Sequence, residues 1–574
     1  MIKRIILLIL SFLFMIMGLS ACSPKASGEK EENKVNIARV SLSNAFLENG
    51  EWFTKMQQNI TYIKQLDVDR LLYHYYVNAG LEPKNDKQPY GDWESNPPHL
   101  GITTGHYISA CSMLYAQTGE EWYKNKVVYM IDELRKCQRE DGYLLAQPES
   151  RFDLLEEGKD TSVAGVPYYF IHKLLAAGLD AYKYCGYEEA LTMVSNLSDW
   201  VYKRMSRLTT EVREMLLQVE YGGMAEALYR VYEITGKNEH KLAAEFFHES
   251  IHLAAWSSNR DNLNGLHANS TIPKAQGFLK GYQITGNEKM FEAAKNFFDM
   301  VVYSRTFPNG GNSCGERFGV AGIIHGYASS RKDNPSETCN CYNMIKLAYS
   351  LYEFTGDTKY MDYIELTMMN GIMGSINSDG CKTYYQYMET DAVKGFHKPD
   401  TGFWCCTGTG MESFAKVPEM IYATQGDDIL QINLFISSRY QGKDGFSFKM
   451  NANDNESEIE VMSKGKKTLK IRIPYWAESS ELLINGSKVN IQKSNGYYEV
   501  TREWNMGDKI EYKIPYKSFL VRPMDDPESF SLRYGPYLMV ATGHRGTAKI
   551  WDMNAQDLEN DVCRIIQKEG GINY

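Results

Sequence analysis

No long basic run interrupts this 574-residue chain, and its formal net charge is −10, which excludes nucleic acid as a partner. Long apolar stretches are equally scarce: beyond the N-terminus, none is long enough to span a bilayer. Tryptophan is sparse, nine residues against forty tyrosines, a mix common where sugars or other polar ligands are handled and on β-rich surfaces. The eleven cysteines are irregularly spaced and mostly lie in helix-like, apolar contexts, which does not read as a disulfide framework. Cys111, Cys137 and Cys185 read as small core residues.

The first segment, MIKRIILLILSFLFMIMGLSAC, joins a basic start to an apolar run and small residues before a cysteine, the shape of an export signal. Its ending, Leu19-Ser20-Ala21-Cys22, resembles a bacterial lipobox; the alternative is an ordinary signal peptide or anchor helix. The expectation is an exported lipoprotein of the cell envelope: signal peptide over 1–21, lipid on Cys22, and a flexible polar tether over 22–37.

One phrase recurs between about residues 100 and 425. YAQTG (115–119), YEITG (232–236), YQITG (282–286) and YEFTG (352–356), with the weaker copy YKYCG (182–186), each end an amphipathic helical run. Their glycines suit the left-handed position that closes a helix. Such spacing fits one helical hairpin per repeat. The glycine-rich connections SNPPHLGITTGHY, GLHANST, PNGGNSCGERFG, NPSETCNC and GFWCCTGTG alternate with the repeat ends, so they collect at one mouth of a closed toroid. After about residue 427 the period drops to two, as in ILQINLFISSRY and TLKIRIPYWAE. The expected fold is therefore an α+β multidomain chain: an (α/α)6 barrel over 38–426, then an antiparallel β-sandwich over 427–574.

Two segments offer metal ligands. Glu337 and Cys339 in SETCNC, and Cys405 and Cys406 in GFWCCTGTG, each precede a helical run whose N-terminus favours anionic thiolate and carboxylate. Three sulfurs and a carboxylate can make a tetrahedral Zn²⁺ site. The spacing matches no standard zinc motif, and core cysteines are the competing reading.

GGNSCGERFG, ETCNCYNMIKLA and CCTGTGMESFAKVPEMIYA, in that order, resemble the β-L-arabinofuranosidases of glycoside hydrolase families 127 and 146. Further matching segments include TTGHYISA, YYFIHKLLAAGLDAY and LHANSTIPKAQG, and the resemblance covers roughly 38–540. It implies Zn²⁺ held by Glu337, Cys339, Cys405 and Cys406, with Cys405 as nucleophile and Glu316 as general acid/base. His172, His267, Glu365 and Tyr385 match positions where relatives hydrogen-bond the sugar. His106 is expected to pack the barrel mouth, and Cys341 to fill helix; Cys314 has no assigned role. Where some relatives have a histidine, this chain offers Glu220 or Tyr221.

The function implied is a zinc-dependent retaining exo-glycosidase releasing β-L-arabinofuranose from plant glycans. The alternatives are the same machinery acting on another sugar of pectin, or a non-catalytic, lipid-tethered glycan-binding protein. An (α/α)6 lyase or epimerase would need a Tyr/His or His/His proton-transfer pair and no cysteine cluster.

Overall fold

The computed structural model describes residues 37–540, apart from 160, 331, 390–391, 478 and 489–491. The signal, Cys22 and the stretch from 541 onward lie outside the described residues. Among the described residues no helix is long and apolar enough to cross a membrane.

Six helices carry the architecture: α1 (Ile102–Thr118), α2 (Pro167–Cys185), α3 (Met224–Thr235), α4 (Ala268–Thr285), α5 (Thr338–Thr355) and α6 (Cys405–Ile421). Each packs on the next and α6 returns to α1, so the six close a ring. Behind α1 to α5 stand the helices that follow them, Glu121–Cys137, Glu188–Ser206, Asn238–Glu245, Glu288–Arg305 and Thr358–Thr367; Glu51–Gln65 backs α6.

The repeated phrase explains how the first five helices end. Gly119, Gly186, Gly236, Gly286 and Gly356 all adopt φ between 64° and 70°, and each donates its N–H to the tyrosine carbonyl four residues back. The threonine before the glycine works twice. Thr118, Thr235, Thr285 and Thr355 donate their hydroxyls to carbonyls in the preceding turn and accept the N–H two residues on, where the outer helix begins. No such phrase ends α6, which runs directly into the strand Tyr422–Gln425.

Two sheets face each other beyond the ring. One orders Ile37–Arg39, Tyr422–Gln425, Ile429–Ile432, Gly465–Arg472, Tyr497–Trp504 and Gln492–Ser494. The other orders Ser487–Lys488, Glu481–Ile484, Lys509–Lys513, Glu456–Val461, Ser447–Ala452, Ser438–Gln441 and Ala45–Leu47. Tyr422 of the first sheet packs its ring 5.4 Å from Phe448 of the second. A small third sheet joins Ser518–Val521, Ser531–Tyr534 and Tyr537–Leu538.

Three details differ from the sequence reading. Ile37–Arg39 and Ala45–Leu47, read with the helical domain, are strands of the two sheets; at three residues each they are too short to show a period of two. The border read at 426/427 falls in the turn between Tyr422–Gln425 and Ile429–Ile432, which pair with each other. One pairing is parallel, Ile429–Ile432 with Gly465–Arg472, because the chain crosses to the second sheet between them.

Arg472 joins sheet to ring. Fully buried, it reaches Asp362 and Glu365 of the helix Thr358–Thr367, each at 2.5 Å, and its Nε donates to the Asn433 carbonyl at 2.6 Å. Replacing Arg472 with methionine leaves the buried Glu365 carboxylate and its half-buried neighbour Asp362 without a counter-charge. The expected loss is about 3–5 kcal/mol in urea unfolding; an unchanged midpoint would show that the clamp carries no stability.

Candidate active site

The N-terminal ends of α2 to α6 converge on one mouth of the ring. Cys405 and Cys406 are the first two residues of α6, Glu337 is the N-cap of α5 with Cys339 in its first turn, and His267 caps α4. Gly223 caps α3 and donates its N–H to His172 Nδ1 on α2 at 3.1 Å. A Cβ on Gly223 would lie 2.7 Å from the His172 ring, so only glycine permits this approach. The glycines of CCTGTG serve the same end: a Cβ on Gly408 would meet His106 at 2.2 Å.

Glu337, Cys339, Cys405 and Cys406 each offer one ligand atom, all within 4.8 Å of one another. Cys339 Sγ lies 3.1 Å from Cys406 Sγ, and Glu337 Oε1 is 3.8 Å from Cys405 Sγ and 3.9 Å from Cys406 Sγ. None of the four is more than 5% exposed, and every cysteine among the described residues is free. Glu337 Oε2 is buried without a hydrogen-bond partner. Burial first, then Cys405, Glu316 and Glu220, push the Glu337 carboxyl well above the usual carboxylate range. A buried pocket lined by four potential anions, one with an orphaned oxygen, fits a metal ion.

Glu316 stands beside this cluster on a tight hairpin turn. Gly315 and Glu316 have φ of 53° and 65°, and flanking Cys314 and Arg317 exchange two backbone hydrogen bonds of 2.9 and 3.1 Å. This is the two-residue turn with both central residues left-handed, where glycine and asparagine are usual and glutamate is strained. The Glu316 carbonyl accepts the Ala268 N–H at 2.8 Å, tying the turn to α4.

Three donors meet the Glu316 carboxylate. The hydroxyls of Tyr384 and Tyr385, the latter at 3.0 Å, both donate to Oε1, and His267 Nε2 lies 3.7 Å from Oε2. His267 foremost, and then the two tyrosines against opposing burial, hold the carboxyl down at about 2. His267 also faces Glu220 at 3.5 Å; although burial opposes its charge, the Glu316 and Glu220 carboxylates raise its pKa above the ordinary value. The Tyr384 hydroxyl is 3.8 Å from Cys405 Sγ as well, so one hydroxyl touches both Glu316 and Cys405.

The structure thus brings Cys405, Glu316, Glu337, Cys339, Cys406, His267 and Tyr385 together, with His172 in the wall behind Gly222 and Gly223. Burial, followed by the Lys173 charge, depresses His172 well below its ordinary pKa, so it is a neutral ring accepting at Nδ1. Glu365 is a correction: it does not reach the site. One oxygen is held by Arg472 and the other by Trp476 Nε1 at 2.8 Å, both from beyond the ring, so its carboxylate serves the sheet interface. His106 is buried against Glu412 at 2.5 Å, in line with packing at the mouth. Cys341 is fully buried in α5 outside the cluster. Sequence reasoning passed over Tyr384, whose only signal is its place in TYYQYM beside Tyr385.

The family model for the GH127 catalytic domain of β-L-arabinofuranosidases matches residues 45–419, and that for the GH127 middle domain matches 429–516. Among solved structures, a GH127 β-arabinofuranosidase is similar with a TM-score of 0.71 at 16% identity, covering 88% of this chain and 85% of that one. A GH127 β-L-arabinofuranosidase from Geobacillus stearothermophilus T6 is similar with a TM-score of 0.68 at 18% identity, covering 86% of each chain. At these identities the structural likeness speaks for the fold. A comparison with curated proteins returned no match. With the catalytic-domain model matching well over half of its length, the chain belongs to the GH127 β-L-arabinofuranosidase family and is a glycoside hydrolase.

Proposed function

We propose that the chain is a zinc-dependent retaining exo-glycosidase that releases β-L-arabinofuranose from plant glycans through Cys405. The observation that carries this reading is the Tyr384 hydroxyl in contact with both Cys405 and Glu316, which sets a thiol and a carboxylate side by side at the mouth of the ring. Retaining enzymes that use two carboxyl groups keep them about 5–5.5 Å apart, whereas inverting enzymes separate them by about 6.5–9.5 Å to admit water.

Glu337, Cys339, Cys405 and Cys406 would hold the ion. Bound there, Zn²⁺ supplies the positive charge that keeps buried sulfur as thiolate at neutral pH. In the first step Cys405 Sγ attacks the anomeric carbon, forming C–S as the C–O bond breaks, and Glu316 delivers a proton to the leaving oxygen. In the second, Glu316 takes a proton from water, whose oxygen displaces the sulfur and regenerates the thiolate. His172, His267 and Tyr385 bind sugar hydroxyls.

The Glu316 and Glu220 carboxylates raise the His267 pKa, and His267 Nε2 faces Glu316 Oε2 at 3.7 Å, so the protonated ring can supply the proton that Glu316 delivers in the first step and regain it from Glu316 after the second. Because the His267 pKa is raised, kcat/KM is expected to fall as pH rises through a value above 6.5. Glu220→Gln removes one of those carboxylates and should move this basic limb to lower pH; an unmoved limb assigns it to another group.

The metal has its own test. Purified protein should carry about one Zn²⁺ per chain by elemental analysis, and Cys339→Ala should lose it. Full occupancy in that variant would exclude Cys339 as a ligand. Activity is tested by product analysis on arabinan, pectin and hydroxyproline-linked arabinosides, alongside a panel of aryl glycosides. Release of a different sugar alone would overturn arabinose. Export with a lipid on Cys22 belongs to the same proposal; the mass of the mature N-terminus would reveal it.

A further inference from the structure

Three separate segments bring half-buried aromatic rings to one side of the Glu316 carboxylate. Tyr384, which donates to Glu316, has Trp404 at 5.5 Å and Trp93 at 6.4 Å between ring centroids. Trp93 in turn stacks on His99 at 4.1 Å with the planes 20° apart. The other carboxylate oxygen of Glu316 has polar company: His267 faces it, and Glu220 faces the same histidine.

The Trp93 loop is fastened on both sides of the ring. Asp92, at a left-handed φ of 56°, accepts the Gly402 N–H at 3.1 Å. Glu94 is 1% exposed and accepts the N–H groups of Gly101 at 3.0 Å and Thr103 at 2.8 Å, closing the start of α1. Across that contact Phe403, just before Trp404, is left-handed as well, at φ 46°. Two strained non-glycine residues thus flank the contact beside which the half-buried Trp93 is presented. Backbone strain of this kind persists where surrounding contacts enforce it, commonly at ligand clamps.

We infer that Trp93, backed by His99 and continued by Trp404, is the platform for the sugar ring on the leaving-group side of the scissile bond. The occupant follows from continuity with Glu316. The group that protonates the leaving oxygen is bonded to Tyr384, and the rings of Trp404 and Trp93 pack against that tyrosine. A sugar presents an apolar C–H face to such a ring, and a rigid ring held in advance costs little ordering on binding. This assignment rests on the proposed glycosidase reading and deepens it by naming the residues that meet the leaving-group sugar.

The test compares kcat/KM on methyl β-L-arabinofuranoside with kcat/KM on a β-L-arabinofuranosyl disaccharide, for wild type, Trp93→Leu and Trp93→Phe. Wild type should prefer the disaccharide. Trp93→Leu, which keeps an apolar side chain but removes the aromatic face, should lower the disaccharide-to-methyl ratio by about ten-fold, and Trp93→Phe should restore most of it. A ratio that stays constant in Trp93→Leu overturns the inference, whether the two rates fall together or not at all. If wild type leaves both arabinosides intact and cleaves another sugar's glycosides, the arabinose assignment fails instead, and the same ratio is read on those compounds.

Discussion

Cys405→Ser is expected to abolish turnover, with kcat/KM falling on the order of 10⁴-fold or more. The side chain changes by one atom and stays at the start of α6, where it is 5% exposed, so the fold has no reason to change. The chemistry does change. A serine hydroxyl keeps its proton far above neutral pH, and neither nearby carboxylate is free to take it: Glu337, 3.8 Å from Cys405 Sγ, belongs to the metal-capable cluster, and Glu316 is committed to Tyr384, Tyr385 and His267. Steady-state rates on an activated aryl arabinoside, with circular dichroism as the folding control, measure this directly. Wild-type rates in the variant would remove Cys405 from the reaction.

Glu316→Gln is expected to separate substrates by leaving group. Toward sugar or alkyl leaving groups, which need a proton, kcat/KM should drop by about 10²–10⁴-fold. Toward activated aryl glycosides, whose leaving oxygen departs without help, the first step should be far less impaired. The second step still lacks its base, so turnover on aryl substrates should be limited by hydrolysis of the sugar–sulfur bond. Azide, which needs no base, should then accelerate turnover and appear in a glycosyl azide product. Equal losses on both substrate classes with no azide effect would mean that Glu316 only shapes the site.

What was legible in the sequence was whatever chemistry the chain packs into a few adjacent residues. The five Y-x-x-T/C-G endings could be read because a left-handed glycine, preceded in four of them by a double-bonding threonine, solves a local problem that recurs with each hairpin. The metal-capable cluster was legible because Glu337 with Cys339, and Cys405 with Cys406, each sit within one helix start. Groups whose meaning depends on distant partners were not. Nothing local distinguishes Glu365 from a sugar ligand, since Arg472 and Trp476, which claim it, lie more than a hundred residues away. Tyr384 and Tyr385 are neighbours in one loop, yet only the fold shows that Tyr384 alone reaches Cys405. The loop around Trp93 carries no motif, and its purpose emerges only where Asp92 meets Gly402.

The most direct measurement of the central claim is the site of covalent capture. A cyclitol-epoxide or anomeric haloacetamide mimic of arabinofuranose, incubated with the metal-loaded chain and followed by peptide mapping with fragment sequencing, reports which atom attacks the anomeric position. Fragmentation across GFWCCTGTG separates Cys405 from Cys406. The account predicts one label per chain on Cys405, prevented by excess arabinose and absent in Cys405→Ser. Label on Glu316 or another carboxylate, in a chain whose Cys405→Ser variant still turns over, would contradict it.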